Sequence, residues 1–97
     1  MSNVHPEVKK FVIRQIKSLV PEAQIKAFGS RINGTARKYS DLDICLHASK
    51  PIDFKVLAAL EERFTESDIP YLVETVDYHL VSAEFQAIID TSCEIWS

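Results

Sequence analysis

Asp41 and Asp43 stand either side of Leu42 in the run Ser40-Asp41-Leu42-Asp43-Ile44. On a strand, alternation puts both carboxylates on one face, roughly 6.5–7 Å apart. Like charges so placed repel and raise each other's pKa. A divalent cation is the simplest compensation. Carboxylate oxygens, with phosphate oxygens completing the shell, favour Mg2+ over zinc. Taken alone, most such triplets are two solvated acids at a strand start. Upstream, Gly29 and Ser30 follow a strand and open a small-residue turn. Glycine lets the backbone approach a ligand closely, and amides at a loop or helix start point at an anion. The Ser30 hydroxyl adds a donor, and Arg31 adds a forked cation suited to phosphate. By itself, Gly-Ser after a strand is an ordinary turn.

Asp77 offers a third carboxylate among Val73, Val76, Leu80 and Val81, where an unpaired acid is costly. On a regular strand Glu74 falls on the opposite face from Asp77, so only one of them can join the pair. The apolar flanks favour Asp77; Glu74 and Asp90 are the other nearby acids. A phosphate cradle, an arginine, two carboxylates on one strand and a third on another describe two-metal phosphoryl or nucleotidyl transfer. One ion would hold a triphosphate and the other would bring the acceptor oxygen in line. The third carboxylate helps bind the second ion and is placed to take the acceptor's proton.

The elements that must position these groups follow from periodicity. Val8, Phe11, Val12, Ile16 and Leu19 predict an amphipathic helix from Pro6 to Val20, with Pro6 in its first turn and Pro21 at its stop. Gln24–Phe28 reads as a strand. Gly29–Ser40 is polar and small and reads as a loop. Leu42–His47 reads as a second strand, with Leu42, Ile44 and Leu46 on one face and Asp41, Asp43, Cys45 and His47 on the other. Asp53–Thr65 reads as a helix with Phe54, Leu57, Ala58 and Phe64 as its core stripe. Tyr71–Leu80 reads as a third strand. Ser82 caps a last helix reaching Thr91, with Phe85, Ile88 and Ile89 inward, and the closing Glu94–Ser97 adds a short edge strand. The expected fold class is α/β (α+β), a few-stranded sheet with helices on one face and a site on the open face.

Ninety-seven residues make one domain, 1–97, with 46% apolar and 26% charged residues, ordinary for a globular chain. No run approaches the ~20 apolar residues of a membrane span, and the N-terminus lacks the apolar region of a signal peptide. Two cysteines without paired spacing point to a reducing, cytoplasmic setting. The net charge of −3 makes duplex nucleic acid and anionic membrane poor partners. The charge is divided, however. Residues 1–50 carry nine Lys/Arg against four Asp/Glu, and residues 51–97 carry two against ten. Any anion belongs to the first half.

The stretch Gly29–Ile44, GSRINGTARKYSDLDI, resembles the signature of the polymerase-β-type nucleotidyltransferase superfamily: Gly-Ser, an Arg and a Gly nearby, then Ser-Asp-x-Asp and an apolar residue. The third acid, in VDYHL, falls where that family keeps its third carboxylate. The short length resembles the minimal nucleotidyltransferases in particular. The resemblance implies a polymerase-β-like fold with a small mixed sheet. It implies that Gly29 and Ser30 hold the nucleotide phosphates, that Arg31 contacts the triphosphate, and that Asp41, Asp43 and Asp77 form the catalytic, Mg2+-binding triad for two ions. It further implies a partner, a small helical HEPN-type RNase toxin. This chain, as antitoxin, would transfer AMP from ATP to a tyrosine of that toxin within a hetero-oligomer. The chain has about twenty residues after Asp77, too few for an acceptor-binding domain, so the acceptor is expected from another chain. Two alternatives stand beside this: a nucleotide-binding subunit that neutralises its partner by contact alone, and one subunit of a split, aminoglycoside-type small-molecule enzyme.

Of the remaining residues, His47 and Cys45 share the face of the aspartates, where a polar lining is expected over a zinc site. His79 is a strand-end polar residue or a substrate contact. His5 begins the first helix. Trp96 is a core cap or an interface residue. Arg37, Lys38 and Tyr39 are a solvated loop or reach phosphate.

Overall fold

The computed structural model describes residues 4–97. Helix α1 (Pro6–Leu19) begins where the His5 imidazole accepts from Glu7 N, and it buries Val12 and Ile16. It leads into strand β1 (Gln24–Phe28), the short helix α2 (Ser30–Asn33) and strand β2 (Leu42–His47). Helix α3 (Phe54–Thr65), capped by Asp53, crosses to strand β3 (Val73–Asp77). A single 3-10 turn (Tyr78–Leu80) precedes α4 (Ala83–Ser92), which Ser82 caps through Phe85 N, and β4 (Glu94–Ile95) closes the order.

The sheet order is β3-β2-β1-β4, with β2 and β3 parallel and the other two pairs antiparallel. The expected small mixed sheet is therefore present. Ile25, Ala27, Leu42, Ile44, Leu46 and Val73 point to one face and join Val12, Ile16, Leu60 and Phe64 from α1 and α3 in a single core. Trp96 belongs to this core, 6% exposed, which decides it as a core residue. No helix among the described residues is long and apolar enough to cross a membrane.

Several details differ from the sequence expectation, among them Ile88 of α4, expected inward but 59% exposed. The helices are not confined to one face: Phe85 and Asp90 of α4 reach Phe28 and Lys26 on the opposite sheet face. The stripe of α3 is Val56, Leu57, Leu60 and Phe64, while Phe54, at the first helical position, is 75% exposed and Ala58 is exposed as well. Strand β3 stops at Asp77 rather than Leu80, because the Asp77 carboxylate accepts from His79 N and turns the chain into the 3-10 turn.

Candidate active site

The turn after β1 is built around one glycine. Gly29 has φ +82°, in the region that favours glycine, and it caps α2 by accepting from Ile32 N and Asn33 N. The β1–β2 register sets Phe28 opposite Asp43, so the turn lies against that carboxylate. A Cβ at Gly29 would overlap the Asp43 carboxylate and lie 3.2 Å from its Cγ. Helix α2 occupies part of the expected loop. Four residues with Ile32 as their one large apolar side chain show no helical period in the sequence, so the capping glycine was the only available signal.

The carboxylates meet through strand register. Asp43 sits directly opposite Glu74 across the parallel β2–β3 pair, on the same face, where neighbouring strands lie about 4.8 Å apart. Burial pushes the Asp43 carboxyl up to about 6, and the Glu74 and Asp41 charges push the same way. Gly29, Asp43 and Glu74 line one cleft of about 440 Å³ with Phe28, Val76 and Phe85. Asp41 precedes β2 and lines a neighbouring hollow with Tyr39 and Tyr71. A larger cleft, about 650 Å³, lies between α1 and the α3–β3 connection, away from these acids.

Two expected site residues are placed elsewhere. Asp77 is on the core face of β3, 3% exposed, and its carboxylate accepts from Ile52 N at 2.7 Å and His79 N at 3.0 Å. The apolar flanks that favoured it in the sequence are those of a buried capping group. Its burial is offset by backbone donors rather than by a ligand. The carboxylate that the sheet sets beside Asp43 is Glu74. Arg31 is 6% exposed and turned into its own loop: Nε donates to Ser40 O at 2.7 Å and Nη2 to Lys38 O at 2.8 Å. It is therefore a loop-binding side chain here, not one held out toward a triphosphate.

A family model described as "Poly(A) RNA polymerase, mitochondrial-like, central palm domain" matches residues 2–95. The chain belongs to this palm-domain family. A Haemophilus influenzae protein named probable protein adenylyltransferase MntA is 43% identical over 74 residues, which cover 76% of this chain and 65% of that protein. The chain thus matches a little under two thirds of that relative's length. A crystal structure of a toxin–antitoxin with AMP-PNP superposes with a TM-score of 0.80 at 23% identity, covering 92% of this chain and 72% of that one. A tri-AMPylated Shewanella oneidensis HEPN toxin in complex with its MNT antitoxin gives 0.70 at 21% identity, covering 92% and 68%. At those identities the solved structures speak for the fold. The H. influenzae relative is named MntA, and the S. oneidensis complex contains an MNT antitoxin of the same fold, in line with the minimal-nucleotidyltransferase resemblance of the motif.

The palm-domain sheet carries a second polar group on the same face, which the sequence reading missed. Lys26, 7% exposed, donates to Asp90 at 2.7 Å and lies 4.4 Å from the Tyr78 ring centroid. The Tyr78 hydroxyl donates to the other Asp90 oxygen at 2.6 Å, and His47 stacks on Tyr78 at 3.8 Å. The Lys26 and Tyr78 hydrogen bonds hold the Asp90 carboxyl below its usual range. Burial lowers His47, helped by Lys26 and His79, and burial pushes the Cys45 thiol up to about 12. A buried lysine in a strand was the only sequence signal for this network, and its acid lies 64 residues away.

Among the described residues, no three His, Cys, Asp or Glu side chains are grouped to hold a metal ion by themselves. The acids at the cleft nevertheless suit a hard cation. They are all oxygen donors, and Asp43 is raised by burial and by two like charges, a cost that a cation relieves. Such a cation would draw further oxygens from a phosphate ligand.

Proposed function

We propose that this palm domain is a Mg2+-dependent nucleotidyltransferase that moves AMP from ATP to an acceptor hydroxyl, the acceptor being a tyrosine of a small HEPN-type partner protein. One observation carries the reading. A glycine with no room for a Cβ lies against Asp43, and Asp43 lies across from Glu74 at the same cleft. The adenylyltransferase name of the H. influenzae relative and the AMPylated toxin of the S. oneidensis complex support the choice of AMP and of a protein acceptor.

In this reading the Gly29–Ser30 turn holds the nucleotide phosphates, with backbone amides at the turn and the Ser30 hydroxyl as donors. Asp41, Asp43 and Glu74 hold two Mg2+ ions, and Glu74 takes the place that the sequence suggested for Asp77. Bound Mg2+ would neutralise phosphate charge and orient the reacting oxygens. The phenolic oxygen bonds to the α-phosphorus as the bond to the bridging oxygen breaks. Pyrophosphate leaves with that electron pair, and the phenol proton passes to the Glu74 carboxylate. Phe28, Val76, Phe85 and Ile88 form an apolar wall beside the acids, which suits an aromatic acceptor. The free thiols of Cys45 and Cys93 support a reducing, cytoplasmic setting for the reaction.

The test is intact mass spectrometry of the partner protein after incubation with this chain, ATP and Mg2+, alongside an Asp41→Ala/Asp43→Ala double variant. A gain of one or more adenylyl groups with the wild type alone supports the reading. A stable complex without any mass gain overturns it in favour of neutralisation by contact.

A further inference from the structure

We propose that Arg31 is a positioning residue that ties the glycine–serine turn to the Asp41 carboxylate. This rests on the nucleotidyltransferase reading for its effect on rate, but the clamp itself stands on geometry. Arg31 follows Ser30 directly on α2. Its Nε donates to the carbonyl of Ser40, the residue joined to Asp41, and its Nη2 donates to Lys38 O at 2.8 Å and Arg37 O at 3.5 Å. The same turn is closed by Arg37 N donating to Ser40 Oγ at 2.8 Å and Ser40 N donating to Arg37 O at 3.1 Å. On its flat side the guanidinium lies 3.5 Å from the centroid of the Tyr71 ring. Tyr71 leads into β3, and Leu42 N donates to Leu72 O at 2.8 Å beside it.

One planar cation therefore joins three segments: the phosphate-side turn, the 37–41 loop and the entrance to β3. Only a guanidinium does this. It offers donors along its edges while its face stacks on an aromatic ring; an ammonium offers neither the plane nor the fork. The clamped loop ends at Asp41, which lies outside β2 and has no ladder to hold it. Release of Arg31 thus leaves the Gly29–Ser30 turn and Asp43 in place and frees Asp41.

The carbonyls that Arg31 holds at Arg37 and Lys38 belong to two trypsin-sensitive bonds, and both residues are exposed. The experiment compares wild type, Arg31→Lys and Tyr71→Leu. It measures tryptic cleavage after Arg37 and Lys38 by mass spectrometry, the Kd of a non-hydrolysable ATP analogue with Mg2+, and the transfer rate. Cleavage after Arg63, inside α3, is the reference. Both variants are expected to be cut at least fivefold faster after Arg37 and Lys38 but not after Arg63. The analogue Kd should stay within about twofold, and kcat should fall roughly 10- to 100-fold, the scale of a misplaced catalytic group. A tenfold weaker Kd with unchanged cleavage would overturn the proposal and make Arg31 a nucleotide contact. Equal acceleration at Arg63 in both variants would also overturn it, as general destabilisation. If the wild type transfers nothing, the functional reading fails, and proteolysis and binding still decide the clamp.

Discussion

Two groups of polar side chains share one face of the sheet and are held in opposite electrostatic states. At one end, Asp43 faces Glu74 with Asp41 nearby, and its carboxyl is pushed up to about 6. At the other, Asp90 takes an ammonium and a phenol, and its carboxyl is held low. Both are acids on or beside the same sheet. The difference is what faces them. Asp90 is satisfied by the chain itself, and so it pins α4 to the sheet. Asp43 is opposed by its neighbours, and a group that costs the fold something is the one suited to bind a ligand. An acid's identity says little about function until its partners are counted.

The largest effect is expected at Asp43. Asp43→Ala should abolish transfer, a loss on the order of a thousandfold or more. Its melting temperature in metal-free buffer should be unchanged or higher, because a repulsive charge has gone. A large fall in melting temperature with retained transfer would reverse the roles of the two groups.

Glu74 and Asp77 test the strand register. Glu74→Gln should lower transfer roughly 100-fold, the scale of general base catalysis, with the melting curve unmoved. Asp77→Ala should do the reverse. It strands the Ile52 and His79 amides and costs about 1–3 kcal/mol in urea denaturation, while the folded fraction keeps its transfer rate. If Asp77→Ala alone kills activity without loss of stability, the placement of the third carboxylate at Glu74 is wrong.

At the satisfied end, Lys26→Ala should cost about 1–3 kcal/mol of stability, through the lost charge-assisted bond and the lost packing of its stem. For a domain of this size that is a melting shift of roughly 4–8 °C per kcal/mol. Nucleotide binding should change little.

The smallest effect is one of pH. Between its unfolded value of 3.8 and its folded value of about 6, Asp43 binds more proton in the folded chain than in the unfolded one. Its contribution to stability therefore falls as pH rises through that window. Thermal melts of metal-free protein from pH 4 to 7 should show a steeper decline for the wild type than for Asp43→Asn. Added Mg2+ should flatten the wild-type curve. Parallel curves for the two proteins would remove the electrostatic argument for a cation.

Much of this molecule was legible in its residues. Regular apolar spacing is a local property, and it placed α1, β1, β2, α3 and α4 within a few residues; residue type marked the Ser82 cap and put His5 at the start of α1. The GSRINGTARKYSDLDI run carried the family, and alternation along β2 set Asp43 on the face away from Leu42 and Ile44. The rest depended on which residues meet across elements. Asp77 and Glu74 are three residues apart on one strand, and only the parallel register with β2 shows that Glu74 lies beside Asp43. Asp77's apolar flanks signalled burial, and burial was read as function because its backbone partners, 25 residues away at Ile52 and two at His79, are invisible in a linear chain. Arg31 read as a phosphate ligand for the same reason: its type fits an anion, but loop carbonyls and Tyr71 occupy it. Residue type and period determine which chemistry a chain can carry and which face each side chain takes. Tertiary contact decides which charges are neutralised, and so which remain to bind a ligand, because electrostatic free energy depends on distance through space and not along the chain.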